Sequence, residues 1–294
     1  MPRQSPRRCA IRPRQREARR AAARDNPPRR CGGARLAGDK LGAGTWTEAG
    51  GAIDSDRGGE ETRILRDGGC LIIQAAGAGR EARPNWFEPA WWQAKGQAVP
   101  AATGRGATWF VGAPGEQWVL RHYWRGGRVA RWIADRYLWL GLERARPFIE
   151  FRLTLRARAL DLPVPRPVAA RVLRAGLTYS GDLITERLPA VPCSSLMAER
   201  ALDAAGWRAA GACVARCHGA GLDHADLTLN NLLLGRDGLA YVIDLDRAVL
   251  RAPGRWASAN LARLQRSLVK LTPDWSAADR DAAWREFMAG YSAS

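Results

Sequence analysis

Residues 224–234 read HADLTLNNLLL and residues 241–246 read YVIDLD, and these two stretches decide the predicted fold. The first contains Asp226 and, five positions later, Asn231, which directly precedes an apolar run. The second ends a short apolar run with Asp244. Asp and Asn are common in turns, so neither residue type alone indicates a site. Their spacing and the two apolar runs together predict that these polar side chains serve one site.

This order of residues is typical of phosphotransferases of the kinase type. In that chemistry one carboxylate orients or receives the proton of the attacking hydroxyl, which predicts a catalytic role for Asp226. An amide oxygen and a second carboxylate hold Mg²⁺ against the nucleotide phosphates, because hard cations prefer oxygen ligands. The pattern therefore predicts Asn231 and Asp244 as metal ligands, with ATP and Mg²⁺ as the cofactors.

The positive charge of the chain is concentrated at its start. The 294 residues carry a net charge of +17, and residues 1–36 contain twelve Arg against two acidic residues. This segment is rich in Pro and lacks apolar periodicity, so residues 1–60 are predicted to be a disordered Arg-rich extension. A misassigned start, a solvated tail and an anchor for anionic surfaces remain open for it. Because the remainder is only moderately basic, no nucleic-acid partner is expected.

The cysteines and the hydropathy pattern indicate the compartment. Six Cys are scattered along the chain with no C-x-x-C pair, which favours reduced thiols and a cytoplasmic location. Cys213, Cys217 and His218 have a helical spacing that would suit a metal, but two small apolar residues on a buried helix face fit better. The sequence has no secretory segment and no run of about 18 apolar residues, so the body is predicted to be soluble or peripheral.

Turn signals and apolar periodicity predict an α+β fold of two lobes. Residues 61–190 are predicted to form a β-rich N-lobe that holds the nucleotide phosphates and ends in a hinge. Residues 191–294 are predicted to form a compact α-rich C-lobe with the catalytic loop and the metal site. The individual elements predicted for the first lobe are a hairpin around 67–69, an aromatic segment at 86–92 that packs on the fold, strands within 104–111, 117–123, 168–174 and 179–187, and helices at 129–142 and 146–160.

Five positions of the N-lobe are candidates for binding the nucleotide. Gly104 and Gly106 lie where a loop over the phosphates is expected, although a plain hairpin turn has the same glycines. Arg121 stands on the strand that in kinases ends in a phosphate-binding Lys. Glu150 lies in a following helix, where its carboxylate can pair with Arg121, and surface charges are the alternative for both. Glu186 falls in the predicted hinge, whose backbone groups would meet adenine.

From about Trp86 to Tyr291 the chain resembles the bacterial 3-deoxy-D-manno-octulosonic acid (Kdo) kinases, a family of lipopolysaccharide-core sugar kinases with a eukaryotic protein kinase-like, bilobal fold. The order of the matching segments is more specific than any one of them. In chain order they are GRG at 104–106, VLRHY at 119–123, RGG at 125–127, EFR at 150–152, LPVPRP at 162–167, HADLTLNN at 224–231, IDLDR at 243–247 and NLARLQRSL at 260–268.

This resemblance implies ATP-dependent phosphorylation of the 4-hydroxyl of a Kdo residue on a lipid A precursor. It also implies a peripheral location at the cytoplasmic face of the inner membrane, with the anionic membrane surface as a partner. By position it gives Asp226 the catalytic role, and Asn231 and Asp244 the Mg²⁺ roles. It gives Arg121 the phosphate role, with Glu150 as its partner.

The length of the chain beyond the second motif argues against a protein kinase. Only about 50 residues follow Asp244, too few for an activation segment and a peptide platform, and Asp246 stands where protein kinases have Gly. Asp246 either adds a carboxylate near the metal or caps the following turn. A lipopolysaccharide heptose kinase is the nearest alternative within the class. A non-catalytic basic scaffold or a nucleic-acid-binding protein is the alternative outside it.

A basic and aromatic stretch begins at Arg121. Its cations alternate with large apolar side chains, and the members are Arg121, Arg125, Arg128, Arg131 and Arg136 with Trp124, Trp132, Tyr137, Trp139 and Leu140. One interpretation is a peripheral surface for phosphorylated lipid and anionic headgroups. The other is an ordinary amphipathic helix whose aromatic residues pack inside.

Overall fold

The computed structural model has the predicted α+β architecture, in which an antiparallel sheet is followed by a mainly helical region, as in kinase-like folds. Gly104 and Gly106 lie outside the described residues, as does nearly all of the predicted extension at 1–60. Within that extension, Ile53–Ser55 form a strand. The lobe boundary at residue 190 stays a prediction. The described residues are 53–55, 61–76, 79–101, 108–124 and 135–293.

The large sheet contains nine strands within the described part of the chain. They are β1 (Ile53–Ser55), β2 (Glu61–Asp67), β3 (Cys70–Ala75), β4 (Ala98–Pro100), β5 (Thr108–Val111), β6 (Trp118–His122), β7 (Tyr137–Leu138), β8 (Pro167–Ala175) and β9 (Thr178–Glu186). The spatial order is β1-β2-β3-β8-β9-β6-β5-β4, and β7 pairs with β9 off this path. This order places β6, which carries Arg121, beside the long strand β9.

Two hairpins of this sheet each have a tight turn with a glycine in the left-handed conformation. β2 and β3 pair from Asp67 opposite Cys70, and the turn contains Gly68 with a φ of 54°. The turn between β8 and β9 contains Gly176 with a φ of 60°. Residues with a Cβ atom seldom adopt this conformation, which explains why both turns use Gly. The predicted first hairpin is confirmed, and so are the two predicted strands of the second.

The sheet is buried on both faces, because alternate residues of its strands point to opposite sides. Ile73 of β3 belongs to a core cluster with Phe148 and Phe151, which lie in the predicted helix between β7 and β8. Its neighbour Ile72 belongs to a second cluster on the other face. That second cluster includes the aromatic residues Trp86, Phe87, Trp92 and Trp118. The aromatic segment therefore packs on the fold as predicted.

Helices and short strands form the rest of the fold. The helices are α1 (Pro89–Gln93), α2 (Arg146–Ala159), α3 (Cys193–Ala198), α4 (Ala204–Gly219), α5 (Trp256–Leu271) and α6 (Ala277–Ser292). The short strands are β10 (Ala190–Pro192), β11 (Leu222–His224), β12 (Leu232–Gly235), β13 (Ala240–Val242) and β14 (Ala248–Leu250). Cys213 and Cys217 are buried in the core of this region, on the face that α4 packs inward. Among the helices described, none combines the length and the apolar character needed to cross a bilayer.

The helix predicted at 129–142 is wrong for the part of it that is described. That part contains β7, which pairs with β9. Tyr137 and Trp139 pack against Tyr179, whereas Leu138 between them is 61% exposed. This alternation has a period of two, which a strand satisfies and a helix does not. The aromatic residues therefore cover the edge of the sheet as an extended segment.

Close backbone contact joins helices α4 and α6. A Cβ atom at Gly211 of α4 would overlap the carbonyl oxygen of Phe287, and one at Gly290 of α6 would overlap the carbonyl oxygen of Arg208. The two glycines thus let the helix backbones approach each other from both sides. This approach fixes α6, near the end of the chain, on the helix that leads into the first motif.

We expect Gly211→Ala to lower the free energy of unfolding by about 1–3 kcal/mol, since the helices must separate to admit the methyl group. Urea unfolding followed by circular dichroism measures the change. Gly219→Ala in the same helix is the matched control, because a Cβ there meets no atom within 4 Å. Equal stability of the two variants would contradict the close helix contact.

Candidate active site

The loop between β11 and β12 is fixed by its own backbone and by buried leucines. The Leu227 amide donates a hydrogen bond to the carbonyl of His224 at 2.9 Å. Leu227 and Leu229 are buried, whereas the side chain of Asp226 is 46% exposed. The alternation of buried and accessible residues explains why an apolar pattern surrounds a functional polar residue. It leaves the Asp226 carboxylate accessible to a substrate.

Asn231 joins the two sequence motifs. Its side-chain nitrogen donates to the backbone carbonyl of Asp226 at 3.0 Å. Its own backbone carbonyl accepts from the amide of Ile243 at 3.0 Å, so the residue before Asp244 is tied directly to the loop. Because the side-chain nitrogen is used in this way, the amide oxygen is the group with which Asn231 can bind a cation.

Asp244 has a backbone conformation that residues other than Gly seldom adopt. Its φ and ψ are both 64°, in the left-handed region, at the point where β13 gives way to the 3₁₀ turn Leu245–Arg247. The carbonyl of the preceding Ile243 is 3.0 Å from Nε2 of His224. Strained residues that are held from both sides occur often at functional sites. Here the strained turn brings the Asp244 carboxylate to Arg121.

Arg121 of β6 lies at the centre of a charged cluster. It donates hydrogen bonds to both carboxylate oxygens of Glu150 and to Oδ1 of Asp244. The Tyr123 hydroxyl donates to Glu150 and accepts from Arg121 at 3.3 Å. The ion pair expected between Arg121 and Glu150 is therefore present. Asp244 joins it, so a strand of the sheet and the second motif meet at one guanidinium.

The surroundings of Arg121 and Tyr123 set the ionisation state of each side chain. Burial raises the pKa of Glu150, and the positive charge of Arg121 opposes this shift. Burial alone would lower the pKa of Arg121, but Glu150, Tyr123 and Asp244 outweigh it and the pKa lies well above its ordinary value. Burial and the charge of Glu150 raise the pKa of Tyr123 well above its ordinary value. Arg121 therefore stays cationic, and Tyr123 stays a neutral donor.

Asp246 forms an ion pair with the first residue of helix α2. Nε of Arg146, the first residue of α2, donates to Oδ1 of Asp246 at 2.8 Å, and the terminal nitrogen of Arg146 donates to Oδ2. The sequence left Asp246 open between a metal ligand and a cap. In the structure its carboxylate pairs with Arg146 of α2. Sequence reasoning missed Arg146, because nothing in its spacing distinguishes it from the other arginines.

Glu186 lies at the end of β9, and its side chain is bonded to Arg166 rather than to the Arg121 cluster. Its carboxylate accepts from Nε of Arg166 at 2.9 Å, and its amide donates to the carbonyl of Arg166 at 2.8 Å. The amide of Arg187 donates to the carbonyl of Gln117 at 2.9 Å. Two hinge amides are thus already paired within the protein. The hinge role of Glu186 stays a prediction.

Asp226 has a partner that the sequence did not predict. Nη1 of Arg263, on α5, donates to Oδ1 of Asp226 at 2.9 Å. Arg263 lies in the segment at 260–268 that resembles the Kdo kinases, and this resemblance was the signal in the sequence that pointed to it. The arrangement as a whole joins a cationic guanidinium, an accessible carboxylate, and the side-chain oxygens of Asn231 and Asp244, which are of the type that can bind a cation. Such a set can bind polyphosphate and orient a hydroxyl group.

Comparison with known proteins identifies the family of the chain. Residues 89–291 match the family model of the lipopolysaccharide kinase (Kdo/WaaP) family. A 3-deoxy-D-manno-octulosonic acid kinase of Xanthomonas axonopodis pv. citri (strain 306) is 48% identical over 203 residues, 69% of this chain and 81% of that protein. The kinase of the same name from Stenotrophomonas maltophilia (strain K279a) is 45% identical over 204 residues, 68% of this chain and 80% of that protein. The chain belongs to the lipopolysaccharide kinase (Kdo/WaaP) family.

Proposed function

We propose that this protein transfers the γ-phosphoryl group of ATP to the 4-hydroxyl of a Kdo residue on a lipid A precursor, in the synthesis of the lipopolysaccharide core. The observation that carries the proposal is the convergence of Asp226, Asn231 and Asp244 with Arg121 through one connected set of hydrogen bonds. Relatives at 45–48% identity named as Kdo kinases support the choice of acceptor. A heptose kinase is not favoured by these relatives.

Arg121 is the proposed ligand of the nucleotide phosphates. Its guanidinium offers several donors in a fixed plane, which suits the oxygens of the α- and β-phosphates. Glu150 and Tyr123 hold that plane in place. Gly104 and Gly106 are the proposed loop over the phosphates, and the backbone at Glu186 is the proposed contact for adenine. Both of these assignments rest on the sequence alone.

Asp244 and Asn231 are the proposed ligands of Mg²⁺. The donor set of one carboxylate and one amide oxygen fits a cation that takes its remaining ligands from phosphates and water. Among the described residues no group of three or more His, Cys, Asp or Glu side chains is close enough to form a metal site by itself. When bound, Mg²⁺ supplies positive charge against the phosphate oxygens. Asp244 would then exchange its bond with Arg121 for the cation, which frees Arg121 for the phosphates.

Asp226 is the proposed catalytic residue. Its accessible carboxylate orients the 4-hydroxyl and accepts its proton while the oxygen attacks the γ-phosphorus and ADP leaves. The hydrogen bond from the side-chain nitrogen of Asn231 to the backbone carbonyl of Asp226 links the loop that carries this carboxylate to one of the proposed metal ligands. Purified protein, ATP and a panel of acceptors test the assignment. Transfer to the Kdo–lipid A precursor is the expected result, and transfer confined to heptosylated core would contradict it.

A peripheral position at the cytoplasmic face of the inner membrane is part of the proposal. Three large apolar side chains at positions 121–140 of the sequence are exposed, by 51% for Trp124, 61% for Leu138 and 58% for Leu140. Trp124 follows β6, Leu138 lies in β7 and Leu140 follows β7. Both strands pair with β9, at different positions along it. Apolar side chains beside cations suit the interface of an anionic bilayer.

We expect the double change Leu138→Ser and Leu140→Ser to weaken binding to vesicles that contain anionic lipid by about tenfold or more, since each leucine loses apolar area that the bilayer would bury. Sedimentation with vesicles measures the affinity. Leu239→Ser is the control, because Leu239 is 57% exposed and lies in the turn between β12 and β13, which belong to a different sheet. Unchanged binding of the double variant would exclude this surface.

A further inference from the structure

We propose that Arg263 binds the carboxylate of the acceptor sugar and thereby selects an acidic sugar over a neutral one. This inference rests on the proposed function and adds a determinant of acceptor choice to it. Nη1 of Arg263 lies 2.9 Å from Oδ1 of Asp226, and the two side chains are 44% and 46% exposed. A guanidinium at the catalytic carboxylate is therefore open to a ligand from the solvent side.

Helix α5 holds Arg263 firmly at this position. Asn260, one turn before it, is buried and accepts a hydrogen bond from the amide of His224 at 2.8 Å. Ser267, one turn after it, accepts from the amide of Leu229 at 3.3 Å. These three residues share one face of the helix, because their spacing is three and four positions. Asn260 and Ser267 thus hold the backbone of the loop that contains Asp226. The guanidinium of Arg263 is therefore available to bind a ligand.

A purely structural role explains the Arg263–Asp226 pair poorly. Ion pairs between two accessible side chains contribute little to stability. An arrangement that adds little stability in the free enzyme becomes useful when the acceptor itself brings a second negative charge.

The acceptor chemistry supplies that charge. A 3-deoxy-octulosonic acid has its carboxylate on the carbon at position 2, separated from the carbon that bears the 4-hydroxyl by one methylene group. A sugar whose 4-hydroxyl contacts Asp226 must therefore bring its carboxylate close to the same residue. Two carboxylates so near each other repel unless a cation lies between them. Among the described residues, Arg263 is the cation that hydrogen-bonds to Asp226.

The guanidinium has the geometry for both tasks. It is planar and carries five N–H donors, so one edge can hold Asp226 while the other receives the acceptor carboxylate. Lysine offers a single charged centre and reproduces the charge without the fork. Arg263 would thus align the sugar by its acid group and place the 4-hydroxyl at Asp226.

The test compares two acceptors with the full-length protein and its variants. One acceptor is the Kdo–lipid A precursor, and the other is the same glycolipid with the Kdo carboxylate converted to its methylamide. For the wild type we expect kcat/KM to fall about 10- to 100-fold on the amide, the range for a lost hydrogen bond to a charged group. Arg263→Gln should lose a similar factor on the acid, mainly through KM, and should no longer prefer the acid. Its KM for ATP should not change.

Controls separate this role from others. Arg285→Gln removes an exposed arginine of α6 and should behave as the wild type. Arg263→Lys should keep a reduced preference for the acid, and it carries the test if the Gln variant fails to fold. If Arg263→Gln lowers kcat/KM equally for both acceptors, or if the wild type has no preference, the inference is wrong while the proposed function stands. If the wild type phosphorylates neither acceptor, the proposed function itself fails, and the inference with it.

Discussion

Asp244→Asn is expected to lower the rate of phosphoryl transfer by about 10³-fold or more, because it removes the negative charge that would hold the cation beside the phosphates. The substitution suits this position better than Ala does. Asp244 has a left-handed backbone with a φ of 64°, and Asn is among the few residues that tolerate this conformation. The fold should therefore persist, and the loss should lie in the binding of the ATP–metal complex and in turnover.

Initial rates of transfer from labelled ATP and calorimetric titration with ATP and Mg²⁺ measure the two effects. Asp237→Asn is the matched control, since its carboxylate oxygen accepts from the amide of Leu239 in the exposed turn between β12 and β13 and an amide oxygen can do the same. The control should keep full activity. Near-normal turnover of Asp244→Asn with correct folding would remove Asp244 from the metal site and leave its bond to Arg121 as its role.

The second large effect is expected for Asp226→Asn, which should lower kcat by about 10²- to 10⁴-fold, the usual contribution of a general base. The two variants should differ in how they bind the nucleotide. The side chain of Asp226 accepts from Arg263, and its backbone carbonyl accepts from Asn231, one of the proposed metal ligands. An amide side chain leaves that carbonyl in place, so the affinity for ATP and Mg²⁺ should stay unchanged.

The measurement is kcat for the acceptor together with the dissociation constant for ATP and Mg²⁺. Asp281→Asn, at an exposed position of α6, controls for the loss of a surface charge. A fall in nucleotide affinity as large as that of Asp244→Asn would contradict the separate roles. Retained kcat would show that another group accepts the proton of the hydroxyl.

Much of the sheet could be predicted because its signals are local. The turn with Gly68 lies between the short strands Glu61–Asp67 and Cys70–Ala75, and a hairpin needs only such nearby residues. The stretch around Tyr137 and Trp139 was wrongly predicted as a helix because aromatic residues and arginines suit both periods in a short window. Its partner is Tyr179, about forty positions later, and pairing with β9 decided the outcome. Tertiary contact thus overrode an ambiguous local pattern.

The sequence predicted the candidate residues and one of their bonds, the ion pair of Arg121 with Glu150, but it did not predict the other bonds. Asp226, Asn231 and Asp244 carry a spacing that reflects the chemistry, whereas Arg146 and Arg263 carry none. The bond from Arg146 to Asp246 spans 100 positions and that from Arg263 to Asp226 spans 37. Lys and Arg together number 46 in this chain, so composition offers no means of selecting these two. The folded arrangement identifies Arg146, and it selects Arg263 from the residues of the matching segment at 260–268.

The product of the reaction tests the central claim most directly. The full-length protein is incubated with ATP, Mg²⁺ and the Kdo–lipid A precursor, and the product is analysed by tandem mass spectrometry and phosphorus NMR. The account predicts a single new phosphate monoester on the 4-hydroxyl of the Kdo residue, formed by the wild type and nearly absent with Asp226→Asn. An unmodified acceptor, under conditions in which the Xanthomonas relative phosphorylates it, would contradict the account.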